Sequence, residues 1–269
     1  MSSFFDTMVD PFRSIWKHRV VLWRTTYGEI RNAYAGSLLG SAWVFLGQVL
    51  MLAIYATTYV VILRIQPPDM TVYEYILYVF CGLTSFLPFA ASLSAGTLSL
   101  VSNRAVLLNT IFPAELIPFR SVLVASITMP VGTLILFVAD FFLSEFTWTS
   151  LLIPVVMVLQ TLFVAGVVWM LSLAALMFRD IQHMIYYVTM MLMIISPIAY
   201  TPTMIPSGLQ VIIYFNPLSY YIISFQSLIM LNKLPSLDII AVMLLASFTS
   251  FTLGFMMVRR AKGAFYDYA

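Results

Sequence analysis

Six stretches of this chain are long and apolar, with no Asp, Glu, Lys or Arg away from their ends: about residues 37–63, 75–101, 119–139, 150–178, 181–200 and 239–258. A helix needs about 20 mostly apolar residues to cross the hydrocarbon of a bilayer. Backbone N–H and C=O groups find no water there, so only helices or closed barrels span it. Composition agrees with that constraint. The chain is 62% hydrophobic and 9% charged, whereas soluble domains carry about 25% charged residues. The sequence therefore predicts an all-α integral membrane protein of six transmembrane helices, built as one domain over residues 1–269. The fifth stretch, 181–200, is marginal as a span.

Charges gather at the ends of these stretches: Arg64, Arg104, Arg120, Asp140, Arg179, Asp180, Arg259 and Arg260. A further segment, Leu209–Leu231, is apolar enough to span but is broken by Asn216-Pro217. The bias of Lys and Arg toward cytoplasmic loops decides its status. With six spans and a cytoplasmic amino end, the inner segments hold Arg13, Lys17, Arg19, Arg24, Arg31, Arg104, Arg120, Arg179, Arg259, Arg260 and Lys262, and the outer ones only Arg64 and Lys233. A seventh span would put Arg259, Arg260 and Lys262 outside. The expectation is a multi-pass protein with both termini cytoplasmic, and residues 201–231 as an outer re-entrant hairpin between the fifth and sixth spans.

Before the first span, Asp10-Pro11 reads as a helix start. Phe12, Ile15, Trp16, Val20, Trp23, Tyr27 and Ile30 then recur at helical spacing, with Arg13, Lys17, Arg24 and Arg31 largely on another face. Residues 10–31 are thus expected to form an amphipathic helix along the membrane surface, serving as a topological anchor or as a lever under the cytoplasmic entrance. The same segment lacks the continuous apolar core and cleavage site of a cleavable leader.

Several chemistries are argued against. The chain has one cysteine, Cys81, which allows no internal disulfide and no thiol cluster. Its two histidines, His18 and His183, lack metal-site spacing. A net charge of +2 gives no footprint for nucleic acid. There is no phosphate-cradling Gly-x-x-x-x-Gly-Lys-Ser/Thr loop, and no carboxylate is expected within the spans to relay protons. Transport is then passive or driven by a partner, and two inner loops are suited to docking one. They are 102–118, with Arg104, Asn109 and Glu115, and 178–183, with Arg179 and Asp180.

Gly36-x-x-x-Gly40 and Ser92-x-x-x-Gly96 are spacings that permit close helix contact. Aromatics crowd residues 73–89 and 200–225. They suit an interfacial belt, or a lining in which Tyr78, Phe86, Tyr200, Tyr214, Tyr220 and Tyr221 pack against sugar rings.

Arg31-x-x-Tyr34-x-x-Ser37-x-Leu39-Gly40-x-x-Trp43, Gly82-Leu83, Phe112-Pro113-x-Glu115-x-x-Pro118, Phe178-Arg179-Asp180, Ser196-Pro197-Ile198-x-Tyr200 and Asn216-Pro217 occur in that order. In them the chain resembles the type-2 permease subunits of ATP-binding-cassette exporters for bacterial polysaccharides (O-antigen, capsule and teichoic acid). It departs from that pattern at Gln48 and Ser85, where the family often has proline, and at Asn109 and Thr110, where it often has basic residues. The resemblance implies an inner-membrane transport subunit rather than an enzyme. It implies a second copy of the chain, a nucleotide-binding ATPase partner carrying ATP and Mg, no cofactor on this chain, and a lipid-linked polysaccharide as cargo. It further implies that 10–31 is a gate helix bearing Trp16, Trp23, Arg24 and Arg31. Residues 102–112 and 178–184 would be coupling helices bearing Arg104, Asn109, Arg179 and Asp180, with Glu115 close by. A drug or lipid exporter on the same scaffold and, further off, a glycolipid-processing membrane enzyme are the alternatives.

Overall fold

Helix begins earlier than the amino-terminal sequence suggests. A computed structural model describes residues 2–64, 67, 70–103, 113–143, 147–201, 204, 206, 208 and 210–261, and every regular element among them is helical. Helix α1 (Ser2–Lys17) runs straight through Asp10-Pro11, and α2 (Arg19–Ala33) follows after a break at His18. The expected single helix over 10–31 is therefore two helices, and Asp10 does not start one. Its carboxylate is engaged elsewhere, 2.6 Å from the Arg259 guanidinium at the far end of the chain.

Gly36 and Gly40 do not pack helices together. Both have positive φ (78° and 51°), where a side chain is strained, and they turn the chain from α2 into α3 (Ala42–Ala56). Helix α3 continues as a wider turn through Ile62. Helix α4 (Val72–Ser102) opens on a reciprocal cap, in which Thr71 N–H donates to Glu74 Oε2 at 2.7 Å and Glu74 N–H to Thr71 Oγ1 at 3.4 Å. The next span is two helices, α5 (Leu116–Ala125) and α6 (Thr128–Leu143). Pro130 has no N–H for the Ser126 carbonyl four residues back, and Met129 N–H takes it instead at 3.0 Å. Then come α7 (Ile153–Met177), entered by a tight turn over Trp148–Leu152, α8 (Ile181–Ile195), the short α9 (Gln210–Phe215), α10 (Pro217–Ile229) and α11 (Leu237–Arg260).

Among the described residues, five helical stretches are long and apolar enough to cross a bilayer: Ala42–Ile62, Val72–Ser102, Leu116–Phe142, Trp148–Met177 and Leu237–Arg260. They correspond to five of the six expected spans. Helix α8 has 15 residues, about 22 Å at 1.5 Å per residue, short of the about 30 Å hydrocarbon core. The expectation that spans carry no carboxylate fails at one place. Phe141, Phe142 and Leu143 prolong α6 past Ala139, so Asp140 falls within the helix and is only 1% exposed.

The core centres on α4, α7 and α11. Helices α7 and α11 approach until backbone meets backbone: Ser250 Oγ donates to the Phe163 carbonyl at 3.0 Å, and a Cβ on Gly254 would lie 2.8 Å from Gly166 Cα. Gly96 of α4 faces Val168 just as tightly, with Cγ2 2.9 Å from where a Cβ would stand, so the Ser92/Gly96 spacing does mediate helix contact inside the chain. Trp169 fills the space beside this seam, stacked against Phe119 and tilted on Phe251 at 5.0 Å. Pro88 loosens the α4 backbone, and Gln160 of α7 supports the weakened turn. Its amide donates to the Ser85 carbonyl at 2.7 Å while Ser85 Oγ donates back to Gln160 Oε1 at 2.9 Å. In a membrane interior such reciprocal satisfaction is what makes a buried polar pair tolerable.

Candidate functional site

Three surfaces carry the candidate functions: the amino-terminal helix pair, the turn between α7 and α8, and the broken segment after α8.

The amino-terminal pair is fastened to the span ends on one face and bare on the other. Leu22 and Thr26 are buried, and Arg120 of α5 reaches Glu29 at 2.6 Å and Asn103 at 3.2 Å. Phe12 of α1 lies 5.0 Å from the ring of Phe251. The opposite face exposes Trp16, Val20, Trp23 and Tyr27, the two tryptophans at 69% and 72%. Arg24 and Arg31 are also exposed. Arg19, not singled out from the sequence, sits 4.8 Å over the Trp16 ring.

At the end of α7, Phe178 leaves the helix in extended conformation (φ −130°, ψ 105°). Arg179 and Asp180 follow at once, and Ile181 starts α8. Residues 178–184 are thus a tight turn plus the first turn of α8, not a separate helix, because only three residues separate the two long ones. Phe178, Arg179, Asp180 and His183 are all exposed. Asp180 occupies the helix-capping position, yet its side chain makes no capping bond. The pair is presented outward. The other predicted coupling positions fare differently. Arg104 and Asn109, with most of 102–112, lie outside the described residues; Ser102 ends α4. Glu115 is buried within this chain rather than exposed. It is 5% exposed at the head of α5, and its carbonyl accepts the Trp169 indole N–H at 2.8 Å.

After α8 the chain bends irregularly through Ser196–Tyr200. Its carbonyls are taken up by side chains from two helices. Tyr75 hydroxyl donates to Ala199 O at 2.8 Å, Tyr78 to Tyr200 O at 3.5 Å, and Gln226 amide to Pro197 O at 2.9 Å. The Tyr200 hydroxyl donates to Ile195 O. Gly82 lets the segment lie flat on α4, since a Cβ there would stand 3.0 Å from Ile198 Cα. Asn216 then ties α10 back to the bend. Its Oδ1 accepts Leu218 N–H at 3.1 Å, capping the helix ahead of Pro217, and its amide reaches Ser196 Oγ at 2.8 Å. The Asn216-Pro217 break is therefore a helix start.

Of the aromatics expected along a path, Tyr78, Phe86 and Tyr221 are packed in the core at 3% exposure or less. Tyr221 hydroxyl is spent on Ser247 at 2.6 Å. These three line no open surface: the bend and α10 close over α4, and Tyr221, itself on α10, stacks on Phe163 of α7 at 5.5 Å. Tyr200 and Tyr220 are half-buried and Tyr214 is exposed. The uncovered aromatic face lies elsewhere. Helix α8 exposes Tyr186, Tyr187, Met190, Met191 and Ile194, and neighbouring α3 exposes Phe45, Leu50 and Ile54. Tyr55 of α3 joins the two helices through Met193 Sδ at 3.4 Å. Sequence reasoning missed this face because α8 is apolar all round and shows no polar stripe.

Residues 20–230 match the family described as ABC-2 type transporter. Two proteins of Klebsiella pneumoniae, each described as an O-antigen export system permease protein RfbA, are similar along most of their length. One is 27% identical over 90% of this chain and 92% of its own, the other 30% identical over 76% and 78%. A protein of Myxococcus xanthus with the same description is 24% identical over 86% and 88%. With a match over more than three quarters of its length and five helices fit to cross a bilayer, the chain is a multi-pass membrane protein that belongs to the ABC-2 type transporter family.

Proposed function

We propose that this chain is the membrane-spanning subunit of an ATP-driven exporter that moves a lipid-linked polysaccharide, of O-antigen or capsule type, across the bacterial inner membrane. The observation that carries this reading is the similarity to a protein described as an O-antigen export permease over nine-tenths of both chains. In this reading α8 and the bend to Tyr200 form the fifth of six spans, and α9 and α10 form an outer re-entrant hairpin. Both chain ends face the cytoplasm, as the placement of Lys and Arg favours. The satisfied carbonyls of Ser196–Tyr200 support it, since irregular backbone at membrane depth needs protein partners. Helix α3 is hardly covered by its own chain, which supports a second copy facing α3 and α8. The glycan path is then between copies, along Tyr186 and Tyr187, with Tyr200, Tyr214 and Tyr220 toward its outer end. Helices α1 and α2 act as the gate segment. The ATPase, with its ATP and Mg, docks at the Arg179-Asp180 turn.

The test is complementation of a strain lacking this gene, read as surface polysaccharide. Arg179→Ala combined with Asp180→Ala is expected to insert normally and to cut export at least about tenfold, as loss of one or two charge-assisted bonds at an interface implies. Full export by that double variant rejects the docking role, and unchanged surface glycan in the deletion strain rejects the cargo. Tyr186→Ala with Tyr187→Ala is expected to slow export several-fold at unchanged expression, by removing stacking worth about 0.5–1.5 kcal/mol per aromatic contact. A rate equal to wild type places the path elsewhere.

A further inference from the structure

Helix α3 leans away from α4 and α5 near its Ala42 end and leaves a cavity of about 780 Å³, within the about 300–1,000 Å³ of small-molecule sites. Its walls are apolar: Val44, Met51, Leu87, Ala91, Leu98 and Val124. Its other end is polar, with Glu29, Tyr34, Ser99, Ser102 and Asn103. Arg120 is not itself part of the lining but reaches two residues that are, Glu29 at 2.6 Å and Asn103 at 3.2 Å. From Leu87 to Asn103 the cleft follows α4 for about 24 Å at 1.5 Å per residue, more than the about 15 Å depth of one hydrocarbon leaflet. Water has few partners on such walls, and a hydrocarbon chain fits them.

The polar end names the headgroup. A carboxylate and a guanidinium side by side present opposite charges, and their match is a zwitterion with a phosphate and a primary ammonium. A phosphate draws the guanidinium, which recognises such oxygens well. The ammonium donates to the carboxylate. An anionic glycerol headgroup leaves Glu29 facing negative charge, and a choline headgroup has no N–H to donate.

We infer that this cleft is a lipid site for phosphatidylethanolamine, with one acyl chain between α3 and α4, the phosphate at Arg120 and the ammonium at Glu29. The site is distinct from the glycan path, and its failure leaves the cargo reading untouched. A bound lipid there braces the one spanning helix that its own chain scarcely covers, and it joins α3 to the gate segment through Glu29.

Native mass spectrometry of the full-length chain tests this, first as purified from membranes containing phosphatidylethanolamine and phosphatidylglycerol, then after delipidation and titration with each. One phosphatidylethanolamine per chain is expected to survive purification. On titration it is favoured about tenfold over phosphatidylglycerol and phosphatidylcholine, the factor that one charge-assisted bond supplies. Glu29→Gln is expected to bring the preference over phosphatidylglycerol to about unity. Ala95→Leu, which fills the exposed wall of the cleft, is expected to lower retention in a chain that still melts cooperatively. Retention of no lipid by the wild type overturns the proposal. So does retention of phosphatidylglycerol or a polyprenyl phosphate as firmly as phosphatidylethanolamine, or an unaltered preference in Glu29→Gln.

Discussion

Gly166→Ala and Gly254→Ala are each expected to deprive the membrane of most folded protein. A Cβ on Gly166 would overlap the backbone carbonyl of Ser250, and one on Gly254 would overlap the carbonyl of Gly166. The obstructing atoms are main chain on both sides, so no rotamer change relieves the clash. Helices α7 and α11 must separate instead. Separation breaks the Ser250–Phe163 bond and opens the packing around Trp169, which is fully buried between them. In lipid, close packing is itself the attraction between helices. Overpacking of this kind costs about 3 kcal/mol or more, or a fall in Tm of about 6–12 °C for a chain of this size. Detergent-solubilised melting and the yield of monodisperse protein measure it. Gly28→Ala is the control, since nothing lies within 4 Å of its Cβ and alanine favours helix over glycine. If Gly166→Ala melts with Gly28→Ala, the seam is not as close as described.

The second large effect is expected at Gln226. Its amide donates to Pro197 O at 2.9 Å and lies 3.4 Å from Ile198 O. Gln226→Leu keeps the volume and removes both donors, leaving carbonyls of an irregular segment without that partner in a water-poor interior. Each such buried group costs about 1–3 kcal/mol. The bend over α4 is therefore expected to loosen and Tm to fall by about 4–24 °C, with export lost before insertion is. Tyr75→Phe removes the single bond to Ala199 O and is expected to give a smaller shift of the same sign. Equal stability of Gln226→Leu and wild type would mean that water, not Gln226, serves those carbonyls.

Much of the architecture was legible because it follows from one-dimensional rules. Leu237–Arg260 spans because its residues are apolar, and it ends in Arg259 and Arg260 because charge stops at the membrane surface. Asn216-Pro217 punctuates the chain because proline cannot donate and asparagine can cap. The candidate site was less legible. Arg179 and Asp180 lie exposed where the sequence put them. Glu115, Tyr78, Phe86 and Tyr221 do not, because a residue type says nothing of which neighbour covers it: Tyr78 lies under the bend, Tyr221 packs against α7 and α11, and Glu115 and Phe86 are buried as well. The glycines show the same limit. Gly36 and Gly40 had the right spacing but a turn's dihedrals, whereas Gly166 and Gly254 meet each other from helices far apart in sequence.

Local composition was enough to put this chain in lipid and to find five of its apolar helices. Those properties are sums over local residues, set by transfer of apolar surface out of water and by the backbone's demand for hydrogen bonds. Which helix faces touch is settled in three dimensions alone. Folding brings Gly166 to Gly254, Gln226 to the Ser196–Tyr200 bend, and Glu29 to Arg120 at the rim of an open cleft, because contacts between distant segments depend on how shapes and charges meet in space.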